Sequence, residues 1–469
     1  ITIGHQSGDN ITTGDFNVVI GGGDAASATG DSQLLISSGD GGVSWITGTS
    51  AGVVNIPGSL TVAGSAVGGA SALDGLSDVK NGGTDFTSSI IVGNAVGSVT
   101  HGTLSGVNNA TAVGHGAMAS ITQADDVTCI GRNAGGALTT GGNTVLIGSN
   151  AGSNWDNSSG ITTASHNYII GTAGSGPLTG SKNVIMGSSA GYDLTSGHSN
   201  LIMGYRAGAN QTTGQQMTIL GYDALYTGTA QNFMVAIGHS AGYSQTGTEG
   251  VLIGSDAGKN GGASHGAVHV GRQAGYYATG NDNVSVGRFA MYSASSSNTG
   301  NSNVAIGRAA LYGLSSGHRN IAIGYAALDN ADTESGNIAI GYDALGGAIA
   351  GGEKNVALGN YSLDATTSGD NNTATGYDAL TGNTSGANNT ALGYDAGDVI
   401  TTGSQNTIIG SGADPSANSA SNQTVIGYGA AGHGDNIAVI GNTSTTAWHP
   451  ADDNGVDLGS SSYEFANLY

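Results

Sequence analysis

Cationic residues are scarce in this chain: Lys and Arg together number 10 against 32 Asp and Glu, for a formal net charge of −22. At that balance no basic stripe is expected to neutralise phosphates, so a nucleic-acid partner is disfavoured. Cysteine is nearly missing too. Cys129 stands alone, and one thiol cannot form an intrachain disulfide framework. Proline occurs only 4 times and charged residues make up 9% of the chain, the opposite of the proline-rich, highly charged composition of disordered segments. Glycine does not fall at every third position, which excludes collagen. No run of eighteen apolar residues is present, so no transmembrane helix or membrane insertion is predicted.

What the chain does have is 86 glycines and a regular apolar beat. "NIAIGYAALDNADTESGNIAIGYDAL" (residues 320–345) states one phrase twice, and the echo extends almost end to end. With the glycine that closes each apolar triplet as a marker, the late copies fall at Gly307, Gly324, Gly341, Gly359, Gly376, Gly393, Gly410 and Gly427, spaced 17 or 18 apart. Earlier markers run from Gly114 to Gly287, mostly at steps of 16 or 17, and Gly4 and Gly21 are again 17 apart. Repetition at this period is the signature of a solenoid.

Each unit reads approximately G-x-x-N-φ-x-φ-G-x-x-A-[L/G], with φ apolar or Thr. The φ-x-φ alternation is a strand with one buried face, and the second φ, the more strictly apolar, is expected to point into the core. Alanine three places after the marker, as at Ala310, Ala327 and Ala344, marks a position with no room for more. Glycine seven places before it, as at Gly300, Gly317 and Gly369, is expected to supply a positive φ at a repeated turn. Asparagine four places before it, as at Asn303, Asn320 and Asn337, is expected to stack as an amide ladder. The fold class is therefore all-β, a parallel β-solenoid of ~17-residue coils. A single column roughly breaks even between ordering entropy and burial. Parallel chains are therefore expected to bundle, covering the alanine or variable-position face.

The period divides the chain into a short N-terminal solenoid (1–42), a connector (43–92) holding Pro57, a main solenoid (93–441) and a tail (442–469) that regains aromatics. The opening "ITIGHQSGDN" reads as the middle of a repeat, pointing to a fragment or a processed chain.

The units "NVAIGRAAL", "NIAIGYAAL" and "NIAIGYDAL" resemble the head repeat of trimeric autotransporter adhesins and the same repeat in bacteriophage tail fibres. The resemblance covers about four fifths of the chain and implies a homotrimeric left-handed parallel β-roll. The adhesin heads run at a shorter period, so the coils here are expected to carry longer loops. "NIPGSLTVAG" (55–64) and "LDGLSDVKNG" (73–82) are similar to connector text of tail fibres. "NGVDLGSSSYEFANLY" (454–469) resembles the stretch that precedes a self-cleaving intramolecular chaperone. The resemblance thus implies a virion fibre, extracellular, attached to other tail proteins. Its partners would be a bacterial surface glycan or outer-membrane receptor and two further copies of the chain. A bacterial surface adhesin and a glycan-depolymerising spike are the other two readings.

No catalytic residue, cofactor or metal site is expected. Asp223, Asp343, Asp378 and Asp395 recur at one repeat phase in "GYDA", and a residue repeated coil after coil serves architecture more readily than a single active site. His265 and His269, four apart, read as surface or packing residues rather than a ligand pair. The candidate receptor contacts are aromatic: Tyr325, Tyr342, Tyr377 and Tyr394, each directly after a marker glycine, and Trp155 in a non-repeated insertion. Aromatic faces stack on sugars while the phenol keeps its water.

Overall fold

The computed structural model of the chain describes residues 107–447, except 124, 153–164, 173–177, 294–297 and 349, together with short segments ahead of residue 107. Among the described residues every regular element is a short strand and there is no helix. The chain forms two compact units, Ile1–Thr179 and Gly180–Tyr469, whose boundary falls inside the predicted 93–441 repeat domain. In the second unit, parallel strands follow one another from Val184–Met186 to Ala438–Ile440. Successive strands pair in unshifted register, as in Val304↔Ile321↔Ile338↔Val356. In the first unit Thr111–Val113, Val127–Ile130, Thr144–Ile147 and Tyr168–Ile170 pair in the same way. The fold is a parallel β-solenoid of about 18 turns with ~17-residue coils, as the repeat predicts.

Ahead of it, Thr2–Ile3, Val18–Ile20 and Leu34–Ser37 also pair in parallel. Pairing then turns antiparallel, between Leu34–Ser37 and Ser44–Gly48, Leu60–Val62 and Ser65–Val67, and Val79–Asn81 and Ile90–Val92. Parallel pairing resumes within the expected connector, where Phe86–Thr87 and Ile90–Val92 pair with Val107–Asn108 and Thr111–Val113. Residues 448–469 of the tail lie outside the described residues.

The marker glycines sit at φ near +130° to +148° from Gly114 to Gly410, a region closed to other residues. A Cβ at any of them would come within 3.0 Å of the backbone of the marker glycine one coil on. The glycines seven places earlier differ from the expectation. Gly300, Gly317 and Gly369 are not left-handed. A Cβ there would strike the carbonyl of the next coil, so the demand is for close approach rather than for positive φ. The left-handed corners fall instead five places before the marker (Ser302, Arg319, Lys354, Asn371) and two after it (Asp343, Asp378, Asp395). Asp, Asn and Ser suit that conformation through local hydrogen bonding, which explains the repeated Asp in "GYDA" by backbone geometry.

The expected strand orientation is inverted. The middle residue of each triplet faces the interior: Ala305, Ala322, Ala339, Ala357 and Ala374 are fully buried. The second apolar residue points outward, with Ile306 38% and Ile340 39% exposed. The variable position and the alanines are therefore consumed within the coil and do not form the face left for neighbours. The interior is narrow, and two positions share it. Where the middle residue is large, as in Ile185, Ile202, Leu252 and His269, the residue four after the marker is glycine: Gly191, Gly208, Gly258 and Gly275. Where the middle residue is alanine, from Ala305 to Ala374, that position is Leu311, Leu328, Leu345, Leu363 or Leu380, all fully buried. A Cβ on Gly275 would meet the ring of His269, and one on Gly258 would lie 2.7 Å from Leu252. The exceptions are balanced between neighbouring coils: Ile219 and Leu225 are both large and fully buried, and the next coil pairs Ala236 with Gly242, where a Cβ would lie 3.1 Å from Leu225 and 2.7 Å from Leu252.

The asparagine ladder forms, and it closes on the backbone. The Asn320 N–H donates to Asn303 Oδ1 at 2.8 Å, and its Nδ2 donates to the Glu334 carbonyl at 2.8 Å. The pattern continues through Asn337, Asn355, Asn372, Asn389 and Asn406 to Gln423. Between Met217 and Ala267 the asparagine is absent, and Gln211, Gln231 and Gln245 take over. They are linked to one another and end on the Ser264 carbonyl at 2.6 Å. The ladder amides are thereby paired, except at Gln211 Oε1, and loss of a partner would leave further buried polar groups stranded.

The shared interior makes a direct prediction. Ala322→Ile should overpack a coil at a cost of about 1–3 kcal/mol. Leu328→Gly should open a cavity at about 2–4 kcal/mol, part of it offset by relief of a left-handed leucine. Combined, they should melt closer to the parent than either loss predicts, because volume is restored. Strictly additive losses in thermal unfolding would show that the two positions do not share one space.

Candidate functional site

Two outward features recur along the coils. The first is apolar: Val113, Ile130, Ile170, Ile306, Ile340, Leu358, Leu392 and Ile440, all the second apolar residue of a triplet, are exposed. The second begins one residue past the marker glycine and is aromatic in several consecutive coils. Tyr325 and Tyr342 stack with centroids 5.0 Å apart and planes at 6°, and Tyr377 and Tyr394 stack at 5.7 Å and 12°. Asn360 interrupts the column in the coil between them. Tyr361, one place later, fills the gap edge-on, 5.3 Å from Tyr342 and 5.8 Å from Tyr377. Five successive coils thus carry one continuous aromatic ladder. Tyr361 escaped the sequence reading because it is out of phase by one residue. The isolated Gly-Asn-Tyr among the Gly-Tyr copies is the signal that would have found it.

Tyr205, Tyr222 and His239 form a shorter stack, at 5.2 and 5.3 Å. Arg206 caps it, held in a bidentate pair by Asp223 at 2.7 and 2.5 Å, with its guanidinium 4.9 Å from the Tyr226 ring. The four predicted contact tyrosines, Tyr325, Tyr342, Tyr377 and Tyr394, are brought together on one ladder and are 40–57% exposed. Trp155 lies outside the described residues.

Acids accompany the long ladder. Burial, and then the charges of Asp343 and Asp364, push Asp329 up to about 6. Burial and the neighbouring Asp398 do the same to Asp414, again to about 6. Asp343, Asp364 and Asp378 are raised as well, each chiefly by burial. The charge of Asp395 raises the phenol of Tyr394. The result is a column of stacked, part-exposed aromatic rings beside carboxyl groups that resist ionisation, an arrangement able to make C–H contacts with sugars and exchange hydrogen bonds with their hydroxyls.

His265 is exposed and His269 is buried, so the two do not converge. His269 shares a 2.8 Å hydrogen bond with Ser285 of the next coil, and burial pulls its pKa down to about 4. Cys129 is buried in the middle position of its strand, and desolvation raises its thiol to about 12. Among the described residues no three His, Cys, Asp or Glu side chains gather as a metal site would require. A cavity of about 410 Å³ near the last coil is lined by Gly429, His433, Ile440 and Asn442, among others, with no carboxylate in its wall. The expectation that the chain has no basic stripe needs a local correction. Arg272, Arg288 and Arg308 occupy the place after the marker in three successive coils. Compared with known proteins, the chain matches no family model and no curated protein.

The shifted groups set a pH profile. Asp329 and Asp414 hold protons more tightly folded than unfolded. Their contribution to stability is full below the ordinary carboxylate range near 4 and is lost as pH rises through about 6. His269 acts in the opposite sense, its contribution present above about 6.5 and lost as pH falls through about 4. Asp329→Asn together with Asp414→Asn should raise the melting temperature at pH 8 and flatten its fall between pH 4.5 and 7. An unchanged profile would mean that the two carboxyls titrate alike folded and unfolded.

Proposed function

We propose that the chain is the fibre of a phage virion, assembled from three parallel copies, and that it attaches the particle to glycans on a bacterial surface. The observation that carries this reading is the outward apolar column. A solenoid complete as a monomer would turn polar residues outward on the strand flanks. This chain instead leaves Ile306, Ile340, Leu358 and Leu392 exposed, with Ile323 and Thr375 half-buried in the coils between. Identical apolar strips on parallel chains bury one another around a closed rotational axis, and the resemblance of the repeat implies that three copies do so. The net charge of −22 keeps the outer surfaces of such an assembly apart. The aromatic ladder from Tyr325 to Tyr394, edged by acids, is the surface assigned to the glycan.

Native mass measurement of the full chain should return three copies. Ile306→Asp with Ile340→Asp should give a monomer, because six charges would otherwise be buried together. A folded wild-type monomer at micromolar concentration would sink the assembly. Attachment has its own readout. Fluorescently labelled protein should decorate host cells, and Tyr342→Ala with Tyr377→Ala should weaken that decoration by about ten-fold, at about 0.5–1.5 kcal/mol for each stacked ring. Equal decoration by parent and variant would remove the ladder from the contact.

A further inference from the structure

The scarcity of cations makes their placement informative. Residues 271–324 contain Arg272, Arg288, Arg308 and Arg319 but a single acid, Asp282. Four of the chain's 10 basic residues and one of its 32 acids therefore lie in three coils, a local net of three positive charges on a chain at −22. The register aligns three of these arginines. Val270 pairs with Val286 and Val286 with Ile306, two residues ahead of Arg272, Arg288 and Arg308 respectively. The Phe289 N–H donates to the Arg272 carbonyl at 3.0 Å and the Ala309 N–H to the Arg288 carbonyl at 3.1 Å, which places the arginines one strand spacing apart. All three are exposed, and among the described residues the ion pairs are Arg206–Asp223 and Lys259–Asp256, neither of which involves them.

The neighbouring column accounts for the missing carboxylates. Two places after the marker, Asp256 stands in the coil just before this band and Asp223 and Asp343 in coils further out, and Asp223 neutralises Arg206. In the arginine coils the same position holds Gln273, Phe289 and Ala309. Phe289 adopts a left-handed φ of 62°, a strained conformation for a bulky side chain, and so presents its ring to two guanidinium groups. Arg288 lies 4.6 Å and Arg272 5.9 Å from that ring, while Arg308 lies 5.3 Å from Tyr325, the first rung of the long aromatic ladder. Stacking fixes the arginines against aromatic faces and leaves their N–H edges free. Further copies of the chain would not supply the missing charge. In a parallel in-register assembly the same coils lie side by side, and each contributes the same excess of arginine.

We propose that Arg272, Arg288 and Arg308 form a binding stripe for an anionic polysaccharide, one whose sugars bear carboxylate or phosphate groups. The guanidinium forks hold successive anionic groups, and the aromatic rings beneath keep the forks in line. The proposal deepens the attachment reading and rests on it for the saccharide character of the ligand. Polygalacturonate, a phosphate-bearing mannan, neutral dextran and duplex DNA are the probes, measured against the full chain by interferometry at two salt concentrations.

At least one of the two anionic saccharides should bind, more weakly at high salt, and which one does names the anionic group. Arg272→Gln, Arg288→Gln and Arg308→Gln combined should lower that affinity ten-fold or more at an unchanged melting temperature. Arg132→Gln with Lys182→Gln should leave it intact. Binding of neither anionic polymer, equal binding of dextran, DNA bound as tightly as the saccharides, or a triple variant that binds like the parent would each overturn the stripe. Polymer binding by a protein that fails to decorate host cells would keep the stripe and discard the attachment reading.

Discussion

The structure depends on how closely one coil can approach the next. At the marker glycines the backbones of adjacent coils meet with no space for a Cβ, and a second glycine column seven residues earlier repeats the constraint. Between these two contacts lies the strand, so both ends of each rung are held at backbone distance and register slip is blocked. A slip of one residue would drive a side chain into a carbonyl at every glycine at once, and it would turn the strand's interior residue outward. That constraint explains why period is kept so strictly in the late coils while loop sequence varies freely.

Once the backbones are fixed, the interior is a column with nearly constant cross-section, and its chemistry is solved locally. In most coils isoleucine or leucine in the strand is matched by glycine four residues past the marker, and alanine by leucine or methionine; where one coil pairs Ile219 with Leu225, the next pairs Ala236 with Gly242, so neighbouring coils share the space. The asparagine ladder ties turn to strand, and where it lapses between Met217 and Ala267 a glutamine ladder replaces it. His269 and Ser285 are the polar exceptions in the strand column. They meet each other, which lowers the cost of burying both.

The outside of the same repeat varies by substitution at one phase. The residue after the marker is tyrosine in one block of coils and arginine in another, and the residue after that is aspartate beside Tyr342, Tyr377 and Tyr394 and uncharged beside Arg272, Arg288 and Arg308. A scaffold that repeats every backbone position converts such substitutions into linear arrays: an aromatic ladder edged by acids, and next to it three guanidinium groups. Apolar strand flanks, among them Ile306, Ile340 and Leu392, are exposed along the same coils.

The glycine spacing, the strand triplets, the alanine phase and the asparagine phase were all legible in the sequence, because a solenoid turns each structural demand into a periodic letter. The tyrosine ladder was legible for the same reason, except for Tyr361, which joins it from a neighbouring phase. Which strand face lies inside was not legible. Alternation shows that two faces differ, and the middle residue is the one that enters, whether it is Ala305 or Ile202, while apolar flanks such as Ile306 stay out. Nor does periodicity distinguish a glycine required by left-handed φ from one required by a neighbouring carbonyl, since both leave the same letter. Composition hid the basic band, because a mean over 469 residues cannot report which charges share a column. Sequence alone determined the repeat and its pitch. The tertiary structure decided which side of it is core, because only the stacking of one coil on the next defines an inside.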